Sequence, residues 1–579
     1  MSADERERGA PAARAGGGSF SRGRFLAVLG SAAAAVAAVG VPVSEAKVTV
    51  AGQARRLGAI ARNGSLRGRL RAQHVMQVRM EAARKQHAYP MPRQSSNGDD
   101  ERYANKFASY SKGFPHDRLG LVEMDVYRML MRALSTGNSS DFERLPLGGV
   151  RALHNPQGGL ACAMVGADPQ HLSMPPPPTF SSDREAAEIA ENYWMALARD
   201  VPFAEYHSDP IVAAAAADMS RMTGFDGPTI KDKVTPKTLF RMDTPGALVG
   251  PFISQFLVKD TPYGAERVSR RMRTAVPRTD YMVTYSDWLA GQNGLAQAPQ
   301  RFDRTRRLIR NGRDLGEWVH NDVLFQAYFN ALLILIEANA PLDPKHPYND
   351  VAVYRGRIAG RYSRNQIGFA TFGMPYVASL VCGVAKHALA AVWFQKWFVH
   401  RRLRPEEFGG RIHNHLTGAA KYPIHGDILD SPALDEVFRR NRTYLLPQAY
   451  PEGAPLHPAY GAGHATVAGA CVTVLKAFFD ESFVLPNPVE PTSSGLGIAD
   501  YGGPYNSPDL TVGGELNKLA MNIAVGRNFA GVHWRTDMTE SLAFGEEVAL
   551  RVLEDERHTV NEEFSGFSLT RFDGRKTVA

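Results

Sequence analysis

The sequence predicts a mainly α-helical protein, on three observations. Apolar residues recur at helical spacing in several long segments, no convincing series of alternating strands is present, and no internal repeat of fixed period points to a solenoid or propeller. The 579 residues allow about three to four domain-sized units, with 44% hydrophobic and 22% charged residues. Those fractions are ordinary for a soluble enzyme and exclude both wholesale disorder and a polytopic membrane protein.

From the N-terminus, residues 1–20 are polar and rich in Gly and Ala. Ser21-Arg22-Gly23-Arg24-Phe25-Leu26 then leads into an Ala/Val-rich run ending near Ala46, which has the three parts of an export signal. Its order is similar to a twin-arginine signal, although Gly23 separates the two arginines. The apolar run is short for a spanning helix, so residues 1–46 read as an export signal, periplasmic or secreted, with no stable membrane span in the mature protein; a flexible Ala-rich tail or a single membrane anchor is the alternative.

The formal charge of +8 comes from 67 Lys+Arg against 59 Asp+Glu. Part of the excess lies in Arg55, Arg56, Arg62, Arg67, Arg69, Arg71 and Arg79, which reads as a solvated arm. Without interleaved aromatic residues it gives no reason to expect nucleic acid as a partner. Cys162, Cys382 and Cys471 fit neither a disulfide framework nor a zinc site, and their apolar neighbours suggest buried thiols.

Residues 47–300 read as an N-terminal helical scaffold and residues 301–579 as a C-terminal helical catalytic region. Met174-Pro175-Pro176-Pro177-Pro178 forces an extended connector, and 486–514 reads as a long loop. In the catalytic region the first helix is expected over 317–338, with Asp322 on its apolar pattern. The second covers 376–400, where Val377, Val381, Val384, Ala388 and Val392 form a stripe that Lys396 continues. The third covers 464–481, and the fourth, 516–527, carries Leu516, Ala520 and Ile523 inward with Arg527 four residues on. Asp537 and Glu540 read as a capping box starting a last helix through Leu553.

Polar groups thus stand where a helical core excludes them. Lys396 sits at a helix end, followed by Arg404 before Pro405, which biases Arg404 toward an extended conformation. Gly461 and Gly463 allow backbone N–H groups to approach a ligand closely, and a helix N-terminus favours negative charge. Arg527 is followed by His533 just ahead of the last helix. Taken singly, Lys396 could reach solvent, His464 could be a satisfied helix-end histidine, and His533 could merely precede a cap. Taken together, Lys396, Arg404 and Arg527 bring three positive charges to one place, and converging buried cations require a polyanion between them.

Lys396 with seven residues before Arg404-Pro405, then Gly463-His464, then Arg527 with five residues before His533, resembles the oxyanion site of the vanadium haloperoxidase and acid phosphatase superfamily. The likeness covers roughly residues 310–555. The string 399–406 is closer to the algal and cyanobacterial bromoperoxidases than to the fungal chloroperoxidases. The resemblance implies two packed four-helix bundles. It further implies vanadate as cofactor, held by Lys396, Arg404, Arg527 and the Gly463 N–H, with His533 as the vanadium ligand.

His464 would be the acid/base group, with Lys396 helping to polarise the bound oxidant. His457 matches a histidine of bromoperoxidases and favours bromide, with iodide also admitted and chloride less favoured. Trp393 matches an aromatic position of the halide pocket, or simply packs. Asp322 would pair with Arg527. Hydrogen peroxide, halide and a small organic acceptor are the implied reactants, and a homo-oligomer, at least a dimer, the implied assembly. Ala462 stands where the family has serine; the lost hydrogen bond to a charged group is worth about 1.5–3 kcal/mol.

Three alternatives stay open at this stage. One is an acid phosphatase using His533 as nucleophile, against which the 399–406 string and His457 argue. A second is a vanadium-independent member of the superfamily, and the third an exported anion-binding protein.

Overall fold

The computed structural model describes residues 64–348, 366–501 and 509–579. The expected export segment, with Arg55, Arg56 and Arg62, lies outside the described residues. Arg69, Arg71 and Arg79 are exposed on the helix α1 (Gly64–Ala88).

Helices dominate. After α1 come α2 (Met124–Thr136), α3 (Asp183–Ala198), α4 (Pro210–Met219), α5 (Tyr285–Gln292), α6 (Gly312–Trp318) and α7 (Gln326–Glu337). They are followed by α8 (Met374–Phe394), α9 (Pro405–Leu416), α10 (Pro432–Asn441), α11 (Gly463–Phe478), α12 (Val512–Phe529) and α13 (Arg535–Glu556). The strands among the described residues form short antiparallel hairpins, one of them inside the expected 486–514 loop, pairing Val489–Pro491 with Ile498–Asp500.

Helix α11 is the axis around which α8, α12 and α13 pack. Its sequence is apolar on every side, so it is stable only when surrounded, and all its residues but His464 are buried. Two glycines set how closely α13 approaches: a Cβ on Gly545 would fall 2.0 Å from the Thr466 carbonyl oxygen, and one on Gly469 2.2 Å from that of Leu542. The scaffold helix α3 is almost wholly buried against α4, α10 and α12. Its side chains and those of the C-terminal helices share one core within the compact unit Arg69–Ala579.

Among the described residues one helical stretch, Met374–His400, is apolar and long enough to cross a membrane. Its stripe Val377, Val381, Val384, Ala388 and Val392 is buried in the core, and it packs on α11 as a core helix.

Three expectations need correction. The helix expected over 317–338 is two helices, α6 and α7, separated by an irregular turn. The run His320-Asn321-Asp322 sends its side chains to Glu452, Glu317 and His464, at 2.7, 2.8 and 3.1 Å, directions that one continuous helix face does not offer. The last helix begins earlier than its expected cap: Trp534 is the N-cap and Asp537 the third helical residue, accepting the Trp534 N–H at 3.1 Å, so Glu540 takes no part. Of the thiols, Cys471 is buried, Cys382 half-buried and Cys162 exposed.

Candidate active site

The site grows from the end of α8. Gln395–His400 winds into one wider π-helical turn, Arg401 takes the left-handed conformation at φ 44°, and the chain reverses. This brings Arg404 back beside Lys396. Arg404 is extended (ψ 154°), as Pro405 demands, and Pro405 opens α9.

Both cations then grip the same strip of backbone. Lys396 Nζ donates to the carbonyls of Pro458 and Ala459 at 2.8 and 2.9 Å, and Arg404 donates to the His457 carbonyl at 2.7 and 2.9 Å. Arg404 also donates to the Val532 carbonyl at 2.8 Å and reaches His533 Nε2 at 3.0 Å and His457 Nδ1 at 2.9 Å. Burial beside Arg404 and Arg527 pushes the Lys396 ammonium well below its usual range, and burial pushes the Arg404 guanidinium down to about 10. Such groups keep their charge only at a cost, which an anion between them offsets.

His533 is fixed at both nitrogens. Nδ1 donates to Asp537 Oδ2 at 2.7 Å, so Nε2 carries the lone pair and faces Arg404. Burial and the surrounding cations hold His533 well below the ordinary imidazole value, in the neutral form that a metal needs. Asp537 is itself held by Arg402 at 3.0 Å, and Arg402 by Glu185 and Glu188 of α3, the latter at 2.9 Å. Arg535 pairs with Glu191 of the same helix. Glu185, Glu188 and Glu191 at spacing three thus line one face of α3 and clamp the start of α13.

A cavity of about 380 Å³ opens at His533, lined also by Gly463, His464, His457, Arg527 and Trp393 among others; Lys396 and Arg404 are fully buried and do not line it. Gly463 is the first residue of α11 and no side chain caps this helix, leaving first-turn N–H groups for a ligand. A Cβ at Gly463 would come within 3.2 Å of Trp393. Trp393 donates its indole N–H to the His154 carbonyl at 3.0 Å, and its ring lies 4.8 Å from that of His457. Burial, then Lys396 and Arg404, keeps His457 neutral. His464 Nε2 donates to Asp322 Oδ1 at 3.1 Å.

The expected Asp322–Arg527 pair is not formed. Because the chain breaks between α6 and α7, the Val319 carbonyl meets Arg527 at 3.1 Å while Asp322 turns to His464. Arg527 also lies over the Tyr450 ring, and its Nε is buried with no hydrogen-bond partner. That orphaned donor, the crowded cations and the neutral His533 Nε2 together fit an oxyanion such as vanadate.

The structure adds cavity residues that the sequence had not singled out: Arg151 and His154 from the scaffold region, and His320 with Tyr450 and Glu452. Only the polar run at 320–322 within an apolar pattern could have signalled any of them.

Residues 434–562 match the family described as "VCPO second helical-bundle domain". A vanadium-dependent bromoperoxidase of Corallina officinalis is 34% identical to this chain over 83% of it and 93% of the relative. One of Ascophyllum nodosum is 37% identical over 81% of this chain and 85% of the relative. The homohexameric structure of a second vanadate-dependent bromoperoxidase from Ascophyllum nodosum superposes with a TM-score of 0.82 at 28% identity, covering 93% of each chain.

Proposed function

The chain belongs to the vanadium-dependent bromoperoxidase family, and from that premise we propose that it oxidises bromide with hydrogen peroxide and halogenates small organic acceptors. One observation carries this reading. Lys396, Arg404 and Arg527, all buried and drawn from the ends of α8, α9 and α12, converge on a neutral histidine whose Nε2 lone pair is met, among the described residues, by Arg404 alone.

In this reading Lys396, Arg404, Arg527 and the Gly463 N–H hold the oxygens of vanadate, and His533 Nε2 is the metal ligand. Bound vanadate would supply a Lewis-acidic centre for activating peroxide toward halide. Around it the chain's own groups have separate tasks. With Nε2 of His464 donated to Asp322, its Nδ1 is the nitrogen left to take and return a proton. Lys396, fixed by two carbonyls, has a third N–H of its ammonium left to stabilise negative charge on the bound anion. Trp393 and the neutral His457 form an edge without formal charge where halide can approach.

The assembly is proposed to be a homo-oligomer, as the superposing neighbour is homohexameric. Export is proposed from the sequence of residues 1–46. The test is direct: after incubation with orthovanadate, the protein should brominate a phenolic dye only when bromide and peroxide are both present. Cleavage of phosphate esters without that activity would select the hydrolase instead.

A further inference from the structure

Arg151 is a second arginine on the wall of the same cavity, and it takes no part in the cage around His533. Its backbone is pinned. Arg151 N–H donates to the Gly294 carbonyl at 3.3 Å, His154 N–H to that of Leu456 at 2.9 Å, and the Trp393 indole grips the loop from below. A Cβ on Gly159 would lie 2.6 Å from the Phe394 nitrogen, so the loop rests directly on the last turn of α8.

Its side chain, by contrast, is held by no hydrogen bond. Among the described residues Arg151 makes no ion pair and no side-chain hydrogen bond, and its Nη1 is shielded from solvent with no acceptor. Glu452, the carboxylate of this cavity wall, feels the Arg151 charge but makes its hydrogen bond to His320, at 2.7 Å. The adjacent His154 is pushed toward its neutral form by burial and by Arg151 itself. The shielded Nη1 of this half-buried arginine forfeits hydrogen bonding that a ligand could restore.

The rest of the wall describes the ligand. Leu324, Leu389 and Trp393 offer apolar surface, and about 380 Å³ suits a single-ring molecule rather than a bare halide. The two parallel N–H bonds of an arginine match a carboxylate. We propose that Arg151 recognises the organic acceptor, and that the preferred acceptors are small, electron-rich aromatic or enolic carboxylates: the ring lies against the apolar wall and the carboxylate on Arg151. This rests on the haloperoxidase reading for what happens to the acceptor, but not for its binding.

The experiment separates the two. Vanadate-loaded enzyme, R151Q and R151K are titrated by calorimetry with 4-hydroxyphenylacetate and with its methyl ester, without bromide or peroxide. The kcat and KM for both acceptors are then measured with bromide and peroxide present. Loss of a charge-assisted pair should weaken acid binding by R151Q roughly 10- to 100-fold, with R151K in between and the ester changed less than about twofold. KM for the acid should rise in step.

Equal binding of the acid by R151Q and the unsubstituted enzyme would overturn the proposal, as would equal losses for acid and ester. Wild-type affinity that does not distinguish acid from ester would overturn it too. If the binding contrast holds while no bromination occurs, the subsite stands and the haloperoxidase reading fails.

Discussion

His533 owes its readiness as a ligand to Asp537, which accepts the Nδ1–H hydrogen bond at 2.7 Å and so leaves the lone pair on Nε2, where Arg404 meets it. Asp537→Asn weakens that hold while Arg402 keeps its partners on α3; vanadate affinity is expected to fall about 10- to 100-fold, read by orthovanadate titration of the apo-enzyme. Ala462 offers the opposite change. It is the N-cap of α11 and lacks a side-chain oxygen, so Ala462→Ser should tighten vanadate by roughly 10- to 100-fold or, by capping, raise stability by about 1 kcal/mol. Titration and thermal unfolding distinguish these outcomes. At this scale the sequence named Lys396, Arg404, Gly463, Arg527 and His533 because their spacing is tied to helix ends. It misassigned the partner of Asp322 because a hydrogen-bond direction depends on a turn whose polar residues looked like part of a helix.

The elements were legible wherever an apolar stripe had to be buried, as in α8, α11 and α12. The break between α6 and α7 was not, since three tertiary partners decide it. Nor was the π-helical turn at Gln395–His400, which no periodicity announces and which turns the chain back so that Arg404 faces Lys396. The closeness of α11 and α13 also escapes periodicity, yet it fixes where His533 and Asp537 stand. Gly545→Ala places a carbon against the Thr466 carbonyl and forces the helices apart. A loss of about 1–3 kcal/mol in denaturant unfolding is expected, together with weaker vanadate binding. Unchanged vanadate affinity at reduced stability would show that the helix spacing does not position the site.

Over the whole molecule, the scaffold region proved the least legible part. Glu185, Glu188 and Glu191 follow helical spacing, but nothing local says that buried arginines from distant segments will meet them. The fold also keeps uncharged histidines inside. His346 and His400 are both buried, and burial lowers them to about 4 and about 3. Below 6.5 the unfolded chain binds protons that the folded one refuses, so stability rises with pH from those values up to about 6.5 and is lost on acidification. Between pH 6.5 and 5 the loss is about 2 kcal/mol for each such histidine, visible as a falling unfolding midpoint. The cage itself is tested most directly by elemental vanadium content after orthovanadate loading and gel filtration. One vanadium per chain in the unsubstituted protein and none in His533→Ala is the expected result, with His464→Ala keeping its vanadium at little turnover. Vanadium retained in full by His533→Ala would contradict the account.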